Sequence, residues 1–273
     1  MKIKYLGTGS AAGFPAQFCN CQYCKSAKAL GGKNIRTRSQ ALIDDKLLID
    51  YPSDSYMHFV EQNVDLPHIH ALLITHTHQD HLYLEDLGLR SLGFSLDIDG
   101  ELCVYGNDAV LRKYNAMYGA GDHLKGKLVC KELTEFVPVD IEGYEVTPLL
   151  ANHDKNEKCF IYLVKKDDTT LLYGNDTGFF PESTWEHLRG KKLQMVSLDC
   201  SYIKYKEGTN HMGIPDVLEV KKRLYELQCA DDATKFIVTH FSHIGQWLHE
   251  EIVEAVTPHH ITVAYDGLEV AYK

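Results

Sequence analysis

The stretch that decides the fold is ALLITHTHQDH at residues 71–81. An apolar run typical of a buried strand is followed at once by four potential metal ligands within six residues. His76 and His78 lie two apart, and in extended backbone such side chains project to the same side, so both can reach one ion. Asp80 and His81 come as the chain turns, and we expect them to face a neighbouring position. The segment predicts a site for divalent metals rather than a surface histidine cluster.

Three later apolar runs also end in an ionisable residue. Residues 149–150 lead to His153, residues 171–174 lead to Asp176, and residues 236–239 lead to His240. Together with the first segment, these residues supply enough ligands for two adjacent metal ions. Two ions about 3.5–4 Å apart can share a hydroxide and stabilise charge on the attacking and leaving oxygens of a substrate.

The segment at 76–81 matches the HxHxDH signature, and the chain resembles the metallo-β-lactamase superfamily over essentially its whole length. The resemblance implies an α/β (α+β) fold, a four-layer αββα sandwich of two mixed sheets, in a single domain at 1–273. It also implies a ligand set for each ion. His76, His78 and His153 hold the first metal, Asp80, His81 and His240 hold the second, and Asp176 bridges the two.

The rest of the chain alternates short apolar runs with amphipathic stretches, which predicts mixed sheets covered by helices. Strands are predicted at 3–6, 40–43, 47–50, 71–75, 101–105, 145–150, 159–164, 170–174, 195–199, 236–239 and 262–265. Helices are predicted at 53–63, 108–118, 181–188, 215–228 and 246–256, with Ser53 as the N-cap of the first. Residues 42–48 and 163–170 are predicted to form hairpins.

Three cysteines crowd into the N-terminal part of the chain, at Cys19, Cys21 and Cys24. Thiolates favour zinc, and a structural zinc is usually closed by four ligands. The best candidate for the fourth ligand is His243, which stands three residues after His240. We therefore expect one structural zinc that ties a cysteine-rich loop, at about 13–30, to the rim of the active site.

This cysteine loop is similar to that of the PhnP-like phosphoribosyl cyclic phosphate phosphodiesterases. The resemblance extends to LGTGSAAGFP at 6–15, DCS at 199–201, NH at 210–211, THFSH at 239–243 and DGLEV at 266–270. It implies hydrolysis of 5-phosphoribosyl 1,2-cyclic phosphate, in phosphonate catabolism, by attack of a bridging hydroxide at a pair of zinc or manganese ions. In that family the histidine matching His211 is a candidate general acid, and Asp80 lies at the catalytic centre.

Two loops depart from the pattern of that family, at 154–158 and 202–209. Both are expected to border the site, so the reaction type carries over more readily than the substrate. Strand-end aspartates are expected to hydrogen-bond ligand histidines from behind, and the candidates are Asp50, Asp199 and Asp266. Four lysines near these loops are interpreted as surface residues rather than phosphate contacts: Lys155, Lys158, Lys204 and Lys206.

The net charge of −10 argues against a nucleic-acid or membrane partner, and no apolar run approaches the length of a membrane span. We expect a cytoplasmic metal-dependent hydrolase acting on a small phosphorylated substrate, and a homodimer is compatible with the sequence. Alternative enzymes are a ribonuclease Z-like RNA phosphodiesterase and a protein with a role like that of pyrroloquinoline quinone biosynthesis protein B. A non-catalytic metal-binding protein is disfavoured by the complete ligand set.

Overall fold

The computed structural model describes residues 1–91, 93–119 and 122–272. Within these ranges the strands are β1 (Lys2–Gly7), β2 (Gln40–Ile43), β3 (Leu47–Ile49), β4 (Ala71–Leu73), β5 (Leu102–Gly106), β6 (Leu128–Glu132), β7 (Val139–Ile141), β8 (Tyr144–Leu150), β9 (Phe160–Lys166), β10 (Thr169–Gly174), β11 (Met195–Asp199), β12 (Lys235–Thr239), β13 (Ile261–Val263) and β14 (Glu269–Ala271). The α-helices are α1 (Gln22–Leu30), α2 (Ser55–Gln62), α3 (Leu84–Leu87), α4 (Asp108–Tyr118), α5 (Glu182–Leu188), α6 (Ile214–Glu226) and α7 (His249–Val256). Short 3₁₀ turns lie at Gly32–Asn34, Leu66–His68, Gly88–Arg90, Asp122–Leu124, His243–Gly245 and Thr257–His259.

The strands form two mixed sheets. In the described ranges, the first sheet has the order β14-β1-β2-β3-β4-β5-β6 and the second has the order β13-β12-β11-β10-β9-β8-β7. Strands β3 to β6 are parallel, and so are β10 to β13. The remaining pairs, β14-β1-β2-β3 and β7-β8-β9-β10, are antiparallel. The predicted class, α/β (α+β), is confirmed.

Alternate side chains of the central strands face different hydrophobic layers. In β4, Ala71 and Leu73 pack between the two sheets, whereas Leu72 packs toward the helices. In β12, Ile237 lies between the sheets and Val238 faces the other side. Both faces of these strands are buried, which explains why their sequences are apolar at every position rather than at every second one.

Helices cover the outer face of each sheet. Leu84 of α3 and Val110 of α4 pack on the first sheet, while Trp185 of α5, Val217 of α6 and Ile252 of α7 pack on the second. The four-layer αββα sandwich is thereby confirmed. Among the described residues, no helix combines the length and the apolar character needed to cross a membrane.

The elements that the sequence analysis misses lie mostly at the borders of the sheets. Strands β6 and β14 form the two edges of the first sheet, and β7 forms one edge of the second. Edge strands are short and partly exposed, so they lack the apolar run on which the prediction depends. The hairpins at 42–48 and 163–170 are confirmed as the antiparallel pairs β2–β3 and β9–β10.

Two helix predictions need correction. Ser53 does not cap a helix, because α2 begins at Ser55 with Asp54 as its N-cap, and Asp54 makes no side-chain capping bond. Helix α1 lies inside the cysteine-rich segment, which we predicted as a loop, and its buried residues are Cys24 and Ala27. With so few large apolar side chains, α1 has no strong amphipathic pattern to detect.

The carboxyl ends of the parallel strands collect ionisable residues at one end of the sandwich. Asp50 follows β3, residues 76–81 follow β4, Asp176 follows β10, Asp199 ends β11 and His240 follows β12. In open α/β sheets, this is the edge at which ligands bind. The fold therefore brings the candidate ligands of both sheets together.

Candidate metal centre

Seven side chains from the two sheets form two overlapping groups of potential metal ligands. One group is His76, His78, His153 and Asp176, and the other is Asp80, His81, Asp176 and His240. Within each group the ligand atoms all lie within 4.8 Å of one another. Asp176 and His240 also lie within the same distance of Asp199 and His211, which we expect to act as a supporting residue and a proton donor rather than as ligands. Asp176 belongs to both groups, so its carboxylate lies between two positions. These are the residues that the resemblance implies, and their binding of metal stays a prediction.

The prediction that His76 and His78 share a side through strand geometry is wrong. Strand β4 ends at Leu73, and residues 76–81 form a tight turn in which the His81 N–H donates to the His78 carbonyl at 3.0 Å. The two rings nevertheless lie edge to face with their centroids 4.4 Å apart. The turn, rather than strand alternation, brings them together.

Each histidine of the two groups contacts a partner on the outside of the cluster through one ring nitrogen. The contacts are His76 Nδ1 with Thr75 Oγ1 at 3.0 Å, His78 Nε2 with Asp154 Oδ2 at 3.1 Å, His81 Nδ1 with Asp50 Oδ2 at 2.7 Å, His153 Nδ1 with the Asn210 carbonyl at 3.0 Å, and His240 Nδ1 with Ser201 Oγ at 2.8 Å. Such contacts fix the tautomer and the orientation of metal-binding histidines. The other nitrogen of each ring is left for the centre of the cluster.

Four buried polar atoms at this centre make no well-aligned hydrogen bond among the described residues, although ring nitrogens and carboxylate oxygens lie as close as 3.0 Å. They are Nε2 of His76, His81 and His240 and Oδ1 of Asp176. A buried polar atom without a partner costs about 1–3 kcal/mol, so four that converge on one place point to a missing binding partner. Imidazole and carboxylate donors suit divalent ions such as zinc and manganese. The donor set therefore fits divalent metal ions.

Charges at the centre shift the pKa values of neighbouring groups. Burial opposes ionisation of Asp176, but the surrounding histidines, His240 foremost, hold its pKa well below the usual range. Burial also opposes the charged form of His81, but nearby carboxylates, Asp80 foremost, hold its pKa well above the usual range. For His76, burial and the neighbouring histidines lower the pKa well below its ordinary value. Ionised Asp176 and neutral His76 are the forms that donate lone pairs to a cation.

Asp50 and Asp199 lie behind histidines of the cluster, as expected. Asp50 is fully buried and contacts His81, and Asp199 is fully buried with Oδ2 3.1 Å from Nδ1 of His240. Burial raises the pKa of Asp199, but hydrogen bonds from His211 and His240 outweigh this effect and lower the pKa to about 2. Both aspartates therefore direct a side-chain oxygen at an imidazole of the cluster.

Asp266 is the one of the three candidate aspartates that does not support the cluster. Its carboxylate accepts hydrogen bonds from the Thr8 hydroxyl at 2.6 Å and from the Thr37 N–H at 2.7 Å, and none from a histidine of the cluster within the described ranges. Asp266 lies in the turn before β14 rather than at the end of a parallel strand. It joins two loops instead of supporting the cluster.

His211 lies beside the cluster in the wall of a cavity of about 330 Å³. Its Nδ1 is 3.0 Å from Oδ1 of Asp176 and 3.5 Å from Oδ2 of Asp199. Burial opposes the charged ring, but these two carboxylates outweigh it and raise the pKa of His211 to about 11. Since its side chain is 20% exposed, the ring can carry a proton at the cavity wall. The cavity is also lined by Ser10, Ala11, Ala12, Tyr202, Asn210, Ser242, His243 and Ile244.

The three N-terminal cysteines come together as a second candidate metal site. Their sulfur atoms lie within 4.8 Å of one another, and Cys21 caps α1 by accepting a hydrogen bond from the Cys24 N–H at 3.4 Å. Burial raises the pKa of Cys24 to about 12, whereas hydrogen bonds from Cys24 and Cys19 outweigh burial and lower the pKa of Cys21. His243 stands outside the 4.8 Å group, although it lines one cavity together with Cys19.

The four lysines considered as phosphate contacts have other surroundings. Lys158 pairs with Glu135 at 2.6 Å, Lys206 pairs with Glu219 at 2.9 Å, and Lys204 contacts Gln246 at 3.2 Å. Lys155 is exposed. In the described part of the chain, none of them lines the cavity beside His211. Their interpretation as surface residues agrees with this placement.

The loop that follows His153 borders the site, as expected, but the contacts of its two acidic residues with the histidine segment are not predicted from the sequence. Asp154 contacts His78, and Glu157 accepts hydrogen bonds from the N–H of Thr77 at 3.0 Å and from its hydroxyl at 2.7 Å. The available signal was two acids within four residues of a candidate ligand.

A four-layer αββα sandwich that gathers histidines and aspartates at the ends of both sheets defines the metal-dependent hydrolases of the metallo-β-lactamase superfamily. The family model of the Beta-lactamase superfamily domain matches residues 48–241, and the chain belongs to this family. The matched range contains all seven residues of the two ligand groups and excludes the cysteine cluster. Membership of the superfamily and of its hydrolase class is thus confirmed.

Solved structures of the same fold come from proteins with different roles. A diphosphatase from the PhnP family has a TM-score of 0.76 and 23% identity, over 100% of this chain and 98% of that chain. Zinc-bound PqqB from Methylobacterium extorquens has a TM-score of 0.72 and 16% identity, over 100% of both chains. The short form of human tRNase Z has a TM-score of 0.68 and 15% identity, again over 100% of both chains. At these identities the similarity concerns the fold alone. No curated protein sequence matches the chain.

Proposed function

We propose that the protein is a phosphodiesterase that depends on two divalent metal ions and hydrolyses a small cyclic phosphate such as 5-phosphoribosyl 1,2-cyclic phosphate. The observation that carries the proposal is the place of Asp176, which belongs to both groups of ligand atoms. A two-metal site needs a negative charge between its cations, because this charge offsets their mutual repulsion. A site for a single ion would not need two complete groups that share one carboxylate.

The assignment of ligands follows the two groups. His76, His78 and His153 would hold one ion, Asp80, His81 and His240 would hold the other, and Asp176 would be shared. A pair of bound zinc or manganese ions activates water at neutral pH and neutralises charge on phosphoryl oxygens. Burial opposes ionisation of Asp80, but the charge of His81 outweighs this effect and keeps the pKa of Asp80 well below its usual value. Asp80 therefore offers an ionised carboxylate at the catalytic centre.

His211 is the proposed general acid for the departing sugar oxygen. Its ring lies next to the shared carboxylate and borders the cavity, so a substrate phosphate at the centre places its leaving oxygen near this ring. The carboxylates keep the ring protonated at neutral pH. A cation held by Asp176 would weaken this effect and would bring the pKa of His211 closer to the neutral range, where a proton donor is most effective.

Two observations favour a small substrate over RNA. The cavity of about 330 Å³ lies at the lower end of the range for small-molecule sites, which is about 300–1,000 Å³. The chain carries a net charge of −10, so the protein surface away from the metal centre repels a polyanion such as RNA.

A role in phosphonate catabolism and a cytoplasmic location belong to this proposal. The eight cysteines are free of disulfides, in keeping with a reducing compartment.

The test is a substrate panel with zinc- or manganese-loaded protein. The substrates are bis(p-nitrophenyl) phosphate, 2′,3′-cyclic nucleotides, the ribose 1,2-cyclic phosphate and a precursor tRNA, with a diphosphate ester added because one similar structure is a diphosphatase. We expect turnover of the cyclic phosphates, and loss of it in His240→Ala but not in the exposed control His259→Ala. Cleavage of the tRNA alone would favour a ribonuclease Z-like function instead.

We further propose a structural zinc held by Cys19, Cys21, Cys24 and His243. Nδ1 of His243 is buried without a hydrogen-bond partner among the described residues, and three thiols lie together near the same cavity. Zinc in structural sites takes four nitrogen or sulfur ligands. With manganese at the catalytic centre, Cys21→Ser should lose one equivalent of zinc. Equal zinc content in wild type and variant would contradict this site.

A further inference from the structure

His78 is the exposed member of the metal-ligand cluster. Its side chain is 41% exposed, whereas those of the other six residues are 9% exposed or less. Packing holds a buried side chain in one rotamer, but a side chain on the surface loses conformational freedom when it is fixed. The orientation of His78 therefore depends on specific contacts more than that of any other candidate ligand.

Those contacts come from the loop at 154–157. Oδ2 of Asp154 lies 3.1 Å from Nε2 of His78, and Oδ1 of the same carboxylate accepts hydrogen bonds at 2.8 Å from the backbone and side chain of Asn156. Because Asn156 occupies one oxygen, the other is aimed at the histidine. The contact leaves Nδ1 of His78 facing His153, with Nδ1 3.2 Å from Nε2 of His153.

Glu157 of the same loop fixes the backbone beside His78. It accepts hydrogen bonds from the N–H and the hydroxyl of Thr77, the residue between His76 and His78. Glu157 is itself held by the Asn107 side-chain amide at 3.0 Å. The Thr77 carbonyl accepts a hydrogen bond from the Lys113 ammonium at 2.9 Å. The peptide that carries His78 is thus anchored on both sides.

We propose that Asp154 and Glu157 are positioning residues, which hold His78 with Nδ1 toward the metal that it would share with His153. The proposal rests on the two-metal centre of the proposed function. A carboxylate on Nε2 selects the tautomer whose lone pair is on Nδ1 and raises the basicity of that nitrogen. Since both acids lie within four residues after His153, one loop would link two ligands of the same ion.

The experiment measures metal binding without turnover. Metal-free full-length protein is titrated with Co²⁺, and the two binding steps of the histidine–aspartate centre are followed by the visible absorption of the bound ion. An ion at the cysteine cluster is distinguished by its thiolate-to-cobalt charge-transfer band in the near-ultraviolet and is not counted among the two. The proteins are wild type, Asp154→Ala, Asp154→Asn and Glu157→Ala. Asp168→Ala is the matched control, because Asp168 is an exposed acid in the turn between β9 and β10. Thermal melts confirm that each variant is folded.

We expect wild type and Asp168→Ala to bind two ions identically. In Asp154→Ala and Glu157→Ala, one ion should bind as before and the other about 10- to 100-fold more weakly, as is typical when a partner of a metal ligand is removed. Asp154→Asn keeps an acceptor oxygen and should lie between wild type and Asp154→Ala. Two unchanged affinities in Asp154→Ala would refute the positioning role alone. A wild type that binds fewer than two ions would refute the proposed function and this role together.

Discussion

Removing the carboxylate of Asp50 should destabilise the protein strongly. Asp50 is fully buried and accepts hydrogen bonds from the N–H of Thr75 at 2.8 Å, the hydroxyl of Thr75 at 2.9 Å and Nδ1 of His81 at 2.7 Å. In Asp50→Ala the buried Thr75 amide loses its acceptor, and the His81 imidazole exchanges a 2.7 Å hydrogen bond for a long 3.3 Å contact with the Thr75 hydroxyl. At about 2 kcal/mol for each of these two groups, the expected loss is about 4 kcal/mol.

Asp45 offers a matched control for this substitution. Asp50 and Asp45 both have left-handed backbone, with φ of 63° and 57°, so alanine costs a similar amount of backbone energy at either position. The Asp45 side chain, however, is 67% exposed and contacts only Lys2 at the surface, at 3.1 Å. The difference between Asp50→Ala and Asp45→Ala therefore isolates the buried hydrogen bonds.

The assay is urea unfolding followed by far-UV circular dichroism, with a chelator present so that metal binding does not contribute. With an m-value of about 3 kcal/mol per molar urea, a loss of about 4 kcal/mol lowers the midpoint by about 1.3 M relative to Asp45→Ala. A difference below about 0.3 M would show that the buried amide and imidazole find other partners, and would refute the reasoning.

Three further predictions concern single side chains. His211→Ala should lower turnover by about 10²–10⁴-fold with unchanged metal content by elemental analysis, and loss of both would mean that His211 is a ligand or a structural residue. Asp176→Asn should weaken both metal ions in a Co²⁺ titration, because Asp176 belongs to both groups, and weakening of one ion alone would contradict the shared position. Burial lowers the pKa of His58 from 6.5 to about 4. Between these values the unfolded chain binds the proton more readily than the native protein does, so stability is full above pH 6.5 and falls as the pH drops toward 4. The loss attributable to His58 is about 3 kcal/mol, and His58→Gln should remove that part of the slope when urea midpoints are compared at several pH values.

The fold and the main cluster could be predicted because their signals are local. Residues 71–81 place four candidate ligands directly after an apolar run, and His153, Asp176 and His240 each follow another. A strand buried on both faces has an apolar sequence that needs no knowledge of its neighbours. Strand geometry is the wrong reason for placing His76 and His78 together. Both residues are still identified from the sequence, because the spacing of the motif does not depend on the backbone conformation.

The supporting residues could be predicted only in part, because their contacts join distant parts of the chain. Asp50 and Asp199 are identified by their place at the ends of predicted strands, whereas Asp154 and His78 meet only after loops from different strands fold against each other. Asp266, the third candidate, also follows a predicted strand, but it lies in the turn before β14 and contacts Thr8 and Thr37 instead of a histidine of the cluster. Helix α1 and the edge strands lack large apolar side chains, so their stability comes from tertiary contacts rather than local pattern.

The division of the donor residues between the sheets has a consequence for the life of the protein in the cell. Residues 76–81 extend from the first sheet, whereas His153, Asp176 and His240 extend from the second, so neither half of the chain holds a complete donor group. A cation would bind there with full affinity only after the two sheets have packed together. Its binding free energy would then stabilise the packing of one sheet on the other. When the ion is scarce, the amount of folded protein that resists proteolysis would therefore fall first. The rate of turnover would fall only after that.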